Sequence, residues 1–159
     1  LMDFRADAAM LASAHPDPRL HYVDFGTRPL VLYVWKGHPW SNRRAVRLRD
    51  LQDQKMIIRE SGSQTRLLFE QACALANITP GQRIEINNRD AFREAVAQGL
   101  GIGVIGDRGI VSDDRLQRIA IRDIDIRMDR QLACLKERQN ARLIKTFLAA
   151  GQIVADRLG

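Results

Sequence analysis

Between Lys55 and Ile105 the sequence alternates strand, helix, strand, helix, strand, and this order constrains the fold more than any other feature. Lys55-Met-Ile-Ile-Arg59 is a short apolar run closed by Ser61-Gly62-Ser63. Leu68, Ala72, Leu75 and Ala76 then fall at helical spacing, and Asn77 with Pro80 ends that pattern. Arg83-Ile-Glu-Ile-Asn87 alternates polar and apolar residues, which predicts a strand with one buried face. Ala91, Phe92, Ala95 and Val96 form the stripe of a second helix, capped by Asn87 or Asn88 and stopped by Gly99. Leu100 to Ile105 is a strand rich in glycine. Alternation at this spacing implies right-handed βαβ units and a largely parallel sheet covered by helices, so the fold class is α/β.

The flanks add extended segments and one more helix. Asp7 to Leu11 reads as a short buried strand, followed by a loop with Pro16 and Pro18. Leu20 to Phe25 is extended, Gly26-Thr-Arg-Pro29 has turn chemistry, and Leu30 to Trp35 is an apolar strand that Lys36-Gly-His-Pro-Trp40 breaks. Leu116 to Ile121 and Gln131 to Lys136 are extended. A last helix begins near Asn140 with Leu143, Ile144, Phe147 and Leu148 on its apolar face.

A chain of 159 residues with 45% hydrophobic and 28% charged residues buries a real core and is not a disordered polymer. No apolar run is long enough to cross a bilayer and the start lacks a signal-peptide layout, so no membrane partner is expected and the cytoplasm is the expected location. The formal charge of +6 suits anions, but the arginines are spread along the chain, as on a solvated surface. Cys73 and Cys134 lie far apart with no metal-type spacing and are expected to be buried, reduced thiols.

Candidate chemistry concentrates in Arg59-Glu-Ser-Gly-Ser-Gln-Thr-Arg66. Ser61 followed by Gln64 fits a capping box. The same geometry suits an anion, because free amides at a helix start attract carboxylate, phosphate or sulfate, and Ser61, Ser63 and Thr65 add hydroxyl donors. In open α/β sheets ligands settle at the carboxyl ends of strands, where this turn lies. Asn87-Asn88-Arg89-Asp90 occupies the equivalent turn one unit later, with capping its first reading. Gly99, Gly101 and Gly103 come in the order helix then strand, the reverse of a phosphate-binding turn, so close backbone packing explains them. His15, His21 and His38 have no metal-ligand spacing, and no nucleophile elbow or zinc motif occurs. Neither catalysis nor a cofactor or metal is expected.

Three stretches together resemble the effector-binding domain of LysR-type transcriptional regulators: Leu30-Val-Leu-Tyr-Val-Trp-Lys-Gly-His-Pro-Trp40 with Leu48-Arg-Asp-Leu51, then Ile57 to Arg66, then Arg93-Glu-Ala-Val-Ala-Gln-Gly-Leu-Gly-Ile-Gly-Val-Ile105. The resemblance implies two α/β lobes of the periplasmic-binding-protein-like (type 2) fold, joined by crossing strands, with a small effector in the cleft. Residues 1–36 and 107–159 would be an incomplete first lobe and residues 37–106 the second. Ser61, Gly62, Ser63, Thr65 and Arg66 would face the effector, with Asn88 and Ser13 as outer contacts. The implied partners are a small anionic metabolite, further copies of the chain, and DNA through an N-terminal helix-turn-helix that this sequence does not contain. A transport-type solute-binding protein and a small α/β enzyme are the competing readings.

Overall fold

The computed structural model describes residues 1–12, 17–107, 109–110 and 112–158. The chain divides into two compact units, residues 1–28 with 129–159, and residues 29–128. Strand β2 (Leu20–Trp35) carries its last six residues into the second unit's sheet, and β7 (Leu116–Ile121) pairs with it there.

The second unit is built on the strand order β5-β4-β6-β2-β7-β3, from β3 (Ala45–Val46), β4 (Met56–Ile58), β5 (Arg83–Glu85) and β6 (Ile102–Gly106) with β2 and β7. β4 runs parallel to both β5 and β6, with Met56 opposite Arg83 and Ile102. β2 runs antiparallel to β6 and β7. Helix α1 (Gln64–Leu75) joins β4 to β5 over one face of the sheet, and α2 (Arg89–Ala97) joins β5 to β6 over the other. This is the doubly covered parallel core that the alternation implies.

Two apolar layers follow from the period of two along each strand. Leu32, Val34, Met56, Ile58, Ile102 and Val104 pack under α1, against Phe69, Ala72 and Cys73. Val31, Tyr33, Ile57 and Ile105 pack under α2, against Phe92, Ala95 and Val96. Gly103 faces α2, and a methyl group there would meet Val96 Cγ2 at 2.6 Å and the Phe92 ring at 2.9 Å. The glycine is what lets helix and strand close to this distance, as the close-packing explanation requires.

In the first unit β1 (Ala8–Leu11) pairs antiparallel with the end of β8 (Arg127–Leu135), Ala8 opposite Cys134. Helix α3 (Arg142–Leu158) lays Ile144 and Leu148 on Phe25, Leu132 and Cys134. Both cysteines are free and buried.

Three local readings are corrected. Gly26 to Pro29 is no turn, since β2 runs through it. Gly26 takes φ +82°, its amide donates to Asp24 Oδ1 at 2.8 Å, and Pro29 sits where its carbonyl, not an amide, is needed, accepting from Asp107 N. The buried face of α1 is Thr65, Phe69, Ala72 and Cys73, while Leu75 is 84% exposed. Of the expected stripe Ala72 is buried and Leu68 packs partly buried against the core, whereas Leu75 and Ala76 are exposed, so the buried face is rotated toward Thr65 and Cys73. The helix also starts at Gln64, with Ser63 rather than Ser61 at the N-cap.

His38, which has no metal-ligand spacing in the sequence, is buried. Its ring meets Trp35 edge-on at 4.6 Å and Trp40 at 5.2 Å, and Trp40 N donates to its Nδ1 at 3.0 Å. Burial pushes its pKa below the ordinary histidine value.

Candidate functional site

The parallel strands β4, β5 and β6 all end at one edge of the second unit's sheet, and the chain leaves β4 and β5 there through two strand-to-helix turns. The first is Arg59 to Ser63. Ser63 N donates to Glu60 O at 3.1 Å, which tightens the turn, and Gly62 takes φ +88°. A Cβ at Gly62 would meet nothing within 4 Å, so the backbone there is open to an approaching group. The second turn runs from Ile86 to Asn88 and starts α2.

The two helix starts differ in chemistry. Asn88 caps α2 fully: its side-chain oxygen accepts from Asp90 N at 2.9 Å and Ala91 N at 3.0 Å, and Asp90 places a negative charge in the first turn. Ser63 makes no side-chain cap bond to α1, and no acidic residue lies in that helix's first turn. The positive end of this 12-residue helix, at the carboxyl edge of the strands, is therefore met neither by its N-cap side chain nor by an acidic residue of its own first turn.

Charge near this turn comes from Arg59. Its side chain, 13% exposed, donates to Glu60 Oε2 at 2.8 Å and to Asn87 O at 3.0 Å. One guanidinium thereby ties the first turn to the second. The bonded Arg59 holds the Glu60 carboxyl below the usual carboxylate range, with further help from the charge of Arg89.

The residues expected to bind are not all brought together. Ser61, Gly62 and Ser63 share the turn, with Ser61 and Gly62 exposed and Ser63 half-buried. Thr65 is buried, and its hydroxyl lies 3.7 Å from Met128 Sδ, inside the unit and away from the turn. Arg66 turns toward β5, where Glu70 accepts from its Nε at 3.0 Å and Glu85 from its Nη1 at 2.5 Å. Bonded first to Glu70 and then to Glu85, it is held firmly in its charged form. Asn88 lies at the neighbouring turn with its oxygen committed to capping. Ser13 is outside the described residues.

Sequence reasoning did not anticipate Met128, which takes the Thr65 hydroxyl, because nothing local links residues so far apart. The Arg66–Glu70 pair was legible in its i,i+4 spacing. In the first unit Arg130 was also missed. Its guanidinium lies 4.9 Å over the Phe25 ring and its buried Nε has no hydrogen-bond partner among the described residues. Burial first, then the charge of Arg28, lowers its pKa. Among the described residues no group of three or more His, Cys, Asp and Glu is placed to hold a metal ion. Among those residues, too, no helix is long and apolar enough to cross a membrane.

An open, doubly covered α/β sheet with strand-to-helix turns at its strand ends is an architecture in which ligands commonly bind at those ends. Residues 1–152 match the model of the LysR substrate binding domain, and the chain belongs to that family: it is the effector-binding domain of a LysR-type regulator. It is 29% identical over 119 residues to the RuBisCO operon transcriptional regulator of Allochromatium vinosum, which covers 75% of this chain and 39% of that protein. It is 24% identical over 115 residues to an HTH-type transcriptional regulator, YybE, of Bacillus subtilis, covering 72% of this chain and 39% of that one. The chain thus spans about 39% of the length of these curated relatives. Family and relatives are transcriptional regulators and not enzymes.

The Synechocystis CcmR regulatory domain, solved in complex with 2-PG, superposes with a TM-score of 0.84 at 25% identity, covering 97% of this chain and 76% of that one. The effector-binding domain of QuiR, in complex with shikimate, does so at 0.80 with 22% identity, covering 100% and 74%. The fold is the periplasmic-binding-protein-like type 2 fold of these regulatory domains.

Proposed function

We propose that this domain senses a small anionic metabolite through the Ser61-Gly62-Ser63 turn and the first amides of α1. The two units are read as the two lobes of the effector domain, the first built from two separate segments and the second from the continuous stretch 29–128. One observation carries the assignment: of the two helix starts at the strand ends, α2 is filled by its own Asn88 and Asp90, and α1 is left uncapped beside an open glycine. Membership of the LysR family, and the small ligands bound by CcmR and QuiR, support it.

In this reading the effector binds one arrangement of the protein better than another, and the difference biases DNA contact by a helix-turn-helix elsewhere in a longer cytoplasmic polypeptide. The exposed apolar side chains Leu143, Phe147, Ile153 and Val154 on α3 support self-association through the first unit.

The test is a melting series with phosphate, sulfate and a panel of small mono- and dicarboxylates. An anion present at a hundred times its Kd should stabilise the domain by about 2.7 kcal/mol. Ser63→Ala should weaken its binding by roughly 1.5–3 kcal/mol, one hydrogen bond to a charged group. If no anion raises the melting temperature, or if Ser63→Ala binds like the parent, the assignment fails.

A further inference from the structure

A cavity of about 320 Å³ lies in the second unit, between α1 and the loop that leads into β5. Protein interiors are packed nearly without voids, so a space of this size beside a core needs a reason to stay open. The reason is in the loop. Beyond α1 the chain turns at Asn77, which has φ +53°; Thr79 N then donates to Gln52 Oε1 at 2.9 Å, Thr79 O accepts from Asp53 N, and Gly81 N donates to Gln54 O at 2.9 Å. Gly81 approaches so closely that a Cβ there would sit 2.6 Å from Asp53 O. The outer wall is thus pinned to residues 52–54 and cannot fall inward onto the helix.

The floor is apolar. Met56, Ile58, Phe69 and Cys73 line it, each no more than 4% exposed. Its rim carries Glu70 and Arg83, and these belong to a closed set of ion pairs. Glu70 Oε1 accepts from Arg66 at 3.0 Å and from Arg83 at 3.1 Å, while Arg66 also binds Glu85. Two guanidiniums and two carboxylates cancel. A carboxylate guest would have to take Arg83 from Glu70, and an ammonium guest would meet Arg83 and a Glu70 carboxylate already shared by two guanidiniums, so charge complementarity selects a neutral molecule.

We propose that this cavity is a small-molecule site separate from the Ser61–Ser63 turn, taking an uncharged, mainly apolar molecule of about one ring with a single hydrogen-bonding group held at the Glu70–Arg83 rim. Its size is at the lower end of ligand pockets, which sets the one-ring limit.

The chain carries its own reporter. Cys73 lines the cavity, whereas Cys134 is wholly buried in the first unit's core. Burial pushes the Cys73 thiol up to about 11, so its alkylation should accelerate roughly tenfold per pH unit through the alkaline range.

The experiment titrates the 159-residue chain with benzyl alcohol, benzoate and benzylamine, following backbone amide shifts and N-ethylmaleimide modification of each cysteine by mass. Benzyl alcohol should give saturable shifts at Met56, Cys73 and Ile78. At ten times its Kd about one site in eleven remains empty, so Cys73 modification should slow roughly tenfold while Cys134 is unaffected. Ala74→Leu, at an exposed helical position on the rim, should keep the melting temperature and abolish both effects; Thr79→Leu on the opposite rim provides a second filled variant. The proposal is overturned if benzyl alcohol neither saturates nor protects Cys73, if both filled variants bind it like the parent, or if benzoate or benzylamine binds as tightly.

Discussion

Replacing Gly103 by alanine tests how the second unit's two layers are held together. The added methyl would lie 2.6 Å from Val96 Cγ2 and 2.9 Å from two carbons of the Phe92 ring. Carbon atoms in contact normally sit about 3.5–4.0 Å apart, so the overlap is of the order of 1 Å against two side chains that are both fully buried. Val96 cannot swing aside, because a β-branched side chain in a helix has one strongly preferred rotamer. The strain must move α2 away from β6. Overpacking of this kind costs about 1–3 kcal/mol, and near 2 kcal/mol a chain of this length should melt roughly 4–8 °C lower. Urea denaturation measures the cost, and Val96→Ala supplies the partner for a double-mutant cycle. Removing the valine methyls makes room for the new one, so the pair should be less unstable than the two single changes summed, by about 1–2 kcal/mol. If Gly103→Ala unfolds within about 0.5 kcal/mol of the parent, or the two changes simply add, the glycine is not the spacer between helix and strand.

Four further outcomes are expected. Asn88→Ala removes the acceptor for Asp90 N and Ala91 N and should lower stability by about 1 kcal/mol in urea melts, whereas Ser61→Ala, outside the cap, should change it by less than about 0.5 kcal/mol. Because His38 is buried, its folded pKa lies below its unfolded one, so the unfolded chain takes up the proton first; stability should hold above about pH 6.5 and fall as the pH drops below it. A set of pH-dependent melts on parent and His38→Gln checks this, and the variant should lose the acid-side slope. Sedimentation of the chain should show concentration-dependent self-association that Leu143→Glu with Phe147→Glu abolishes, both side chains standing exposed on α3.

Much of this fold was legible because its signals are local. The βαβ order from Lys55 to Ile105, the capping role of Asn88 and the packing role of Gly103 all rest on periodicity or on residues a few positions apart. The failures have a common cause. Gly26 and Pro29 are turn-formers by propensity, yet β2 runs unbroken through them, with β8 as its neighbour on the far side from β6. The start of α1 was placed too early because Ser61-x-x-Gln64 satisfies the spacing of a capping box, while the Glu60–Ser63 turn moves the first helical residue to Gln64. At the site, the turn itself was visible and the directions of its side chains were not. Thr65 points inward to Met128 and Arg66 sideways to Glu70 and Glu85, partners set by tertiary packing.

Ser63→Asp tests the anion site most directly, because it separates capping from sensing. A carboxylate at the N-cap would accept from the first amides of α1 and occupy from within the place assigned to the effector. Amide shifts of Gly62, Ser63, Gln64 and Thr65 are followed while the tightest anion from the melting panel is titrated into parent and variant. In the parent these amides should shift together and saturate. In the variant the domain should be more stable by about 0.5–1 kcal/mol, and the same amides should no longer respond. Saturable binding that leaves those four amides unmoved, or that survives Ser63→Asp unchanged, would contradict an anion site at the start of α1.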